Sequence, residues 1–190
     1  MFLRKAALRP VAKWAVVHDG AVEAIERELE NQDDDLQAVL DISYRDLERR
    51  QPALAKWLSE EVSKRNDELA QSLGYFLMVT VFRAFREAFP TRLGEVDEGA
   101  LQIALGTLLA DEELRAHDPL EVLDSDDVVA MGQPSVLAYV QHHLEEALVQ
   151  AGDAANIDDL DRIYRAVLVE VIALSAAVDA PAGTIVDALA

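Results

Sequence analysis

A chain of 190 residues with 51% apolar and 28% charged side chains is long enough to bury a hydrophobic core without disulfides or metal ions. Its 8 glycines and 6 prolines are too few for a fibrous or low-complexity protein. The absence of cysteine excludes disulfides, thiolate zinc sites, iron–sulfur clusters and cysteine nucleophiles, and it favours a cytoplasmic location.

The formal charge of −19 comes from 36 acidic and 17 basic residues. A surface this acidic disfavours binding to nucleic acid or anionic lipid, so no nucleic-acid partner is expected. The two most apolar runs, 73–82 and 166–178, are too short to span a bilayer. Two explanations of the acidity stay open, namely a basic partner and a proteome that is acidic throughout.

The basic residues are concentrated at the beginning of the chain. Residues 1–18 carry four basic side chains and no acid, whereas all 36 acids follow from Asp19 onward. We predict that 1–18 is a basic helix or arm strapped onto an acidic domain formed by 19–190. The alternatives are a segment that contacts a partner or a membrane surface, and a frayed tail.

The 3.6-residue hydrophobic period recurs along nearly the whole chain, and no stretch shows the strict alternation of a strand. The sequence therefore predicts an all-α, single-domain bundle of about seven or eight helices. In chain order, the predicted helices cover 11–18, 21–30, 34–50, 52–65, 67–89, 97–116, 134–150 and 157–179.

One pattern occurs twice. "QPALAKWLSEEV" begins at Gln51, and "QPSVLAYVQHHLEEAL" begins at Gln133 with similar apolar spacing. Because proline is favoured at the first helical position, each Gln-Pro predicts a helix start. A very apolar helix follows each time, so 51–89 and 133–179 are compatible with two related αα-hairpins. Apolar second helices of this kind also fit a homodimer.

The two second helices are apolar around much of their circumference, as expected for helices surrounded by others. We therefore place them at the centre of the bundle. The predicted core residues are Phe76, Leu77, Val81, Phe85, Val167, Leu168, Val171 and Leu174.

The adjacent histidines His142 and His143 raise the question of a metal site. A helix over this stretch places His143 at the edge of the apolar stripe and His142 outside it, facing Glu145 and Glu146. Metal binding would need further ligands from another helix, and the sequence offers no such motif. The favoured interpretation is an ordinary helix edge, with metal binding as the alternative.

Two His-Asp dipeptides, His18-Asp19 and His117-Asp118, leave a second alternative. The HD phosphohydrolases hold metal ions with a histidine, a His-Asp pair and a later aspartate on helices. This chain does not meet that pattern, because His18 has no histidine before it. The weak metal candidates are His117, Asp118, His142 and His143.

The segment 117–134 is the longest without helical periodicity, and we predict a solvated loop containing a short helix from about Asp126. Its aspartates do not form a calcium loop, because Val128 and Val129 stand where a ligand and a glycine are needed.

Glu170 is the one ionisable group in thirteen otherwise uncharged residues, 166–178. An unpaired buried carboxylate is unfavourable, so three placements are considered. Glu170 lies on an exposed rim, pairs with an arginine, or lines a pocket. The candidate arginines are Arg83, Arg86 and Arg165.

No phosphate-binding loop, nucleophile elbow or zinc-protease motif occurs, so we assign no catalytic residue and no cofactor. The sequence favours a non-enzymatic, adaptor- or chaperone-like protein-binding module that holds a basic or amphipathic segment in an acidic groove between the two hairpins. A metal-dependent helical hydrolase is the first alternative, and an acidic DNA mimic is the second.

Overall fold

The computed structural model describes residues 11–31, 35–117 and 125–183. Within these ranges the chain forms eight α-helices and no strand, which confirms the predicted all-α bundle. None of the described helices is long and apolar enough to cross a membrane. The helices are α1 (Asp19–Glu30), α2 (Leu36–Arg50), α3 (Pro52–Ser63), α4 (Glu68–Ala88), α5 (Glu98–Ala116), α6 (Ser125–Gly132), α7 (Pro134–Ala151) and α8 (Ile157–Ala176).

Local sequence signals explain most helix starts. The two helices α3 and α7 begin at Pro52 and Pro134, as predicted. The side chains of Asp67, Asp97 and Asn156 cap α4, α5 and α8 by accepting hydrogen bonds from backbone N–H groups of the first turn. The short helix predicted from about Asp126 is present as α6.

The helices α4 and α8 pack side by side at the centre of the bundle and run in the same direction. At their beginnings, the Asp159 carboxylate accepts hydrogen bonds from the backbone N–H groups of Asn66 and Asp67. Beyond their ends, the N–H of Gly94 donates to the carbonyl of Ala177 at 2.9 Å. Seven of the eight predicted core residues are buried; the exception, Phe76, is partly buried.

Two halves of the chain, 11–89 and 93–179, share several helix contacts among their described residues, although the packing of α3 on α4 has no counterpart between α7 and α8. In the first half α1 packs on α4, and in the second half α5 packs on α8. Contacts between the halves also come in matching pairs. The contact of α1 with α7 corresponds to that of α5 with α3, and the contact of α4 with α7 corresponds to that of α8 with α3. The hairpin predicted over 51–89 is present as α3 packed on α4, whereas in the hairpin predicted over 133–179 α7 makes little or no contact with α8.

Gln133 shows how the halves are joined. It ends α6 and begins α7, and its side chain is fully buried. The side-chain oxygen accepts a hydrogen bond from the N–H of Val17 at 2.8 Å, while the side-chain NH₂ donates to the carbonyl of Ala15 at 2.7 Å. The same NH₂ also donates to the Ser175 hydroxyl at 2.9 Å. The side-chain amide of Gln133 therefore binds the backbone segment that leads into α1.

Gln51 repeats this arrangement from the other half. It ends α2 and begins α3, with backbone angles of −136° and 57° against −135° and 62° for Gln133. Its side chain donates to the carbonyl of Gly94 at 2.8 Å and accepts from the N–H of Val96 at 2.7 Å. Each half thus binds, with one buried glutamine, the backbone that leads into the first helix of the other half. We call Gln51 and Gln133 the glutamine clamps.

The hydrogen bonds of Gln133 explain why the prediction of a helix over 11–18 is wrong. The expected helix over 11–18 is not formed; only Lys13–Ala15 makes a single 3₁₀ turn, and the backbone at Val16 is extended. A helix there would use the backbone groups of Ala15 and Val17 internally, whereas Gln133 needs them exposed to its amide. Ala15 and Val17 lie in the core, and residues 1–10 of the predicted basic segment lie outside the described residues.

The close approach of α4 and α8 depends on Gly74. A Cβ atom added there would lie 2.6 Å from Ile163 Cδ1 and 2.9 Å from Val62 Cγ2. We expect Gly74→Ala to lower the free energy of unfolding by about 1 kcal/mol, since overpacking outweighs the gain in helix propensity.

Gly106 provides the matched control, because nothing lies within 4 Å of its added Cβ in the middle of α5. Gly106→Ala is expected to raise stability by about 0.5–1 kcal/mol. Urea denaturation of both variants checks the pair, and stabilisation by Gly74→Ala as large as by Gly106→Ala would contradict the packing.

Candidate functional site

The histidine pair lies at the edge of α7. His142 is exposed, and its Nε2 lies 3.4 Å from a Glu146 carboxylate oxygen, which is the predicted i,i+4 contact. His143 is half-buried against the rings of Phe76 and Tyr139, with ring centroids 4.9 and 4.5 Å away. Burial lowers the pKa of His143, although the Glu146 carboxylate opposes this effect. The pair therefore packs as part of the helix edge.

The other two histidines lie at helix ends. His18 caps α1, with its Nδ1 accepting from the N–H of Ala21 at 3.2 Å. His117 ends α5, with its Nδ1 2.7 Å from the carbonyl oxygen of Glu113. Asp118 lies outside the described residues. In the described part of the chain, no three His, Asp or Glu side chains are grouped so that they could hold a metal ion.

Glu170 lies in the interior rather than on a rim, because α8 is surrounded by α3, α4, α5 and α6. Its side chain is fully buried, and neither carboxylate oxygen has a hydrogen-bond partner among the described residues. Burial raises the pKa of Glu170 well above its usual value. The expectation of an arginine partner is also not met, since Arg83, Arg86 and Arg165 pair with other carboxylates.

Arg83 and Arg86 instead line a cleft of about 750 Å³ between α1, α2 and α4. We call it the arginine cleft. Four arginines and three carboxylates line it beside an apolar surface. Its lining residues are Ile25, Glu28, Val39, Ile42, Ser43, Arg45, Asp46, Arg49, Phe82, Arg83, Arg86, Glu87 and Pro90.

Ion pairs hold the walls of the cleft together. Arg83 on α4 pairs with Glu28 on α1, and Arg86 pairs with Asp46 on α2 at 2.5 Å. Partial burial would raise the pKa of Asp46, but hydrogen bonds from Arg49 and Arg50, together with the charge of Arg86, outweigh it and lower the pKa. Asp46 is therefore a carboxylate whose negative charge is already shared among several guanidinium groups.

The positive charge of the cleft is not fully used within the protein. Arg83 Nη1 and Arg86 Nε are buried donor atoms that have no acceptor among the described residues. Arg45 is exposed on α2 and makes no hydrogen bond or ion pair with the described part of the chain. The exposed guanidinium of Arg45 therefore offers unused hydrogen-bonding capacity to an anionic group.

The related half shows that the fold itself does not need these arginines. The helices α4 and α8 start at residues 68 and 157, an offset of 89 residues, and the same offset relates Gly74 to its contact Ile163. Applied to Arg83 and Arg86, this offset gives Ile172 and Ser175. The shared helix packing is therefore formed with and without guanidinium groups at these positions.

Arg83 and Arg86 were predicted only as partners of Glu170, and the cleft was not predicted. A signal was present, since Arg45 and Arg49 are spaced i,i+4 and Arg83 and Arg86 are spaced i,i+3. Each spacing places both side chains on one helix face.

Comparisons of the chain with protein-family models, with curated proteins and with solved structures find no match.

Proposed function

We propose that the chain is a non-enzymatic, adaptor- or chaperone-like protein-binding module that holds an amphipathic segment of a partner protein in the arginine cleft. The observation that carries the proposal is the combination of an open cleft, apolar lining residues and an exposed, unpaired arginine in one place. Amphipathic helices commonly bind in such grooves, with apolar residues at i, i+3, i+4 and i+7 against the floor.

The apolar part of the cleft suits this role. Ile25 on α1, Val39 and Ile42 on α2, and Phe82 on α4 all contribute to its lining. Ile42 is 66% exposed, which makes it an accessible contact for a partner. Burial of such a side chain on binding contributes about 1.5–3 kcal/mol.

A fluorescent helical peptide of about four turns, with leucines along one face and glutamines elsewhere, tests the proposal by fluorescence anisotropy. We expect Ile42→Asp to weaken its binding at least about tenfold, because a charge would replace an apolar contact.

The matched control is Ile103→Asp on α5, where the side chain is 71% exposed and lies outside the cleft. This change is expected to leave the affinity unaltered. Equal weakening by both substitutions, or no effect of Ile42→Asp, would remove the cleft as the binding surface.

The arginine cleft differs in position and charge from the acidic groove that the sequence predicts between the hairpins, and that groove stays a prediction. The metal-dependent hydrolase and the DNA mimic stay predictions as well, and Asp118, one of the hydrolase candidates, lies outside the described residues.

A further inference from the structure

We infer that the arginine cleft recognises an acidic amphipathic segment, one that presents carboxylates beside its apolar face. This inference rests on the proposed function and reverses the charge of the partner that the net charge alone favours. Three features support it, namely the local charge of the cleft, the exposed and unpaired Arg45, and the comparison between the two halves.

The local charge is opposite in sign to that of the whole chain. The net charge of the chain is −19, yet four arginines against Glu28, Asp46 and Glu87 give the cleft lining a formal charge of +1. At physiological ionic strength charges are screened over about 8 Å, so a bound side chain responds mainly to the groups lining the cleft. A lysine-bearing segment would meet guanidinium groups at close range.

One donor that a carboxylate would use is already available. Arg45 is exposed and free of partners among the described residues, whereas Arg83 Nη1 and Arg86 Nε are buried and out of reach of a bound segment. Arg83 is bound only through its Nη2, by Glu28, whose side chain is 48% exposed. A partner carboxylate can therefore bind Arg45 directly and compete with Glu28 for Arg83, because guanidinium groups favour two-point binding of carboxylates.

Packing does not account for these arginines. Position 172 on α8, which corresponds to Arg83, is an isoleucine, and position 175, which corresponds to Arg86, is a serine that donates to the carbonyl of Val171. The Arg83–Glu28 ion pair, which is half-exposed at Glu28, adds little stability of its own, and the Arg86–Asp46 pair is partly buried. The first half thus carries guanidinium groups at two positions where the related half has uncharged side chains.

Isothermal titration calorimetry with three versions of the leucine-faced peptide tests the inference. The residues flanking the leucines are glutamate, glutamine or lysine, and everything else is kept constant. We expect the glutamate peptide to bind about tenfold or more tightly than the lysine peptide, with the glutamine peptide between them. Equal affinities, or tighter binding of the lysine peptide in the cleft, would overturn the inference.

Two substitutions are expected to move the affinity of the glutamate peptide in opposite directions. Arg45→Gln removes the free guanidinium and should weaken binding severalfold, while Glu28→Gln releases Arg83 and should strengthen it severalfold. Arg162→Gln, at an exposed position of α8 outside the cleft, is the control and should change nothing.

The possible failures are distinguishable. If all three peptides bind equally and Ile42→Asp abolishes binding, the proposed function stands and the inference fails. If none of the three peptides binds, the proposed function and the inference both fail. Sedimentation of the chain alone tests whether a second copy of the chain occupies the cleft. A dimer that Ile42→Asp dissociates would show that it does, and would overturn both the proposed function and the inference.

Discussion

Gln133→Leu is expected to lower the free energy of unfolding by about 2–6 kcal/mol, because leucine leaves the buried N–H of Val17 and the buried carbonyl of Ala15 unpaired, at about 1–3 kcal/mol each. Globular domains are stable by only about 5–15 kcal/mol, so a loss of this size threatens the fold at ordinary temperature. Urea denaturation followed by circular dichroism gives the measurement.

The control for this substitution lies on the same helix. Gln141 is exposed and makes one hydrogen bond, 3.2 Å, to the hydroxyl of Tyr164. Gln141→Leu is therefore expected to change stability by less than about 0.5 kcal/mol. Gln51→Leu should be comparable in effect to Gln133→Leu, because its amide binds the backbone of Gly94 and Val96 in the same way. A loss below about 1 kcal/mol for both clamps would contradict their role in joining the halves.

Glu170→Leu is expected to raise the free energy of unfolding by about 1–3 kcal/mol at neutral pH, the reverse of what most core substitutions do. Neither carboxylate oxygen of Glu170 has a partner among the described residues, so an apolar side chain removes an unfavourable group without leaving another donor unpaired. For a chain of this size each kcal/mol corresponds to about 2–4 °C in Tm. Glu145→Leu, at an exposed position of α7, should leave Tm nearly unchanged.

The pH dependence follows from the same burial. The pKa of Glu170 is raised in the folded state, so the folded chain holds this proton more tightly than the unfolded chain. The contribution of Glu170 to stability is therefore greatest below the unfolded value near 4.5 and falls as pH rises toward the folded pKa. Glu170→Gln removes this titration, so its stability advantage over the natural chain should grow from about pH 4 upward. An advantage that is constant over pH, or that grows toward acid pH, would contradict a buried, unpartnered carboxyl.

The sequence correctly predicted the structural features that depend on hydrophobic periodicity and on local signals at helix starts. The helices α4 and α8 are apolar around most of their surface, which correctly placed Leu77 and Leu174 in the core. Pro52 and Pro134 correctly marked the starts of α3 and α7. The repeated Gln-Pro was correctly interpreted as two similar helix starts, although the role of the glutamine side chains was missed.

The predictions that were wrong or missing depend on contacts between residues that are distant in the sequence. The backbone is extended at Val16 because Gln133, 116 residues beyond Val17, binds the groups on either side of it, and no local sequence pattern predicts that contact. For Glu170 the local composition showed that a partner or solvent was needed but not which helices enclose it. The arginine cleft was missed for the same reason. The spacing of its arginines is visible, whereas the meeting of α1, α2 and α4 is a product of tertiary packing.

Nuclear magnetic resonance titration of the isotope-labelled chain with the glutamate peptide tests the arginine cleft most directly, because it locates binding without depending on any substitution. We expect the largest amide shift changes to fall on α1, α2 and α4 around Ile42, Phe82 and Arg83, and to saturate together. Changes centred on α5 and α6, changes spread evenly over the surface, or no change at the highest peptide concentration would contradict this expectation.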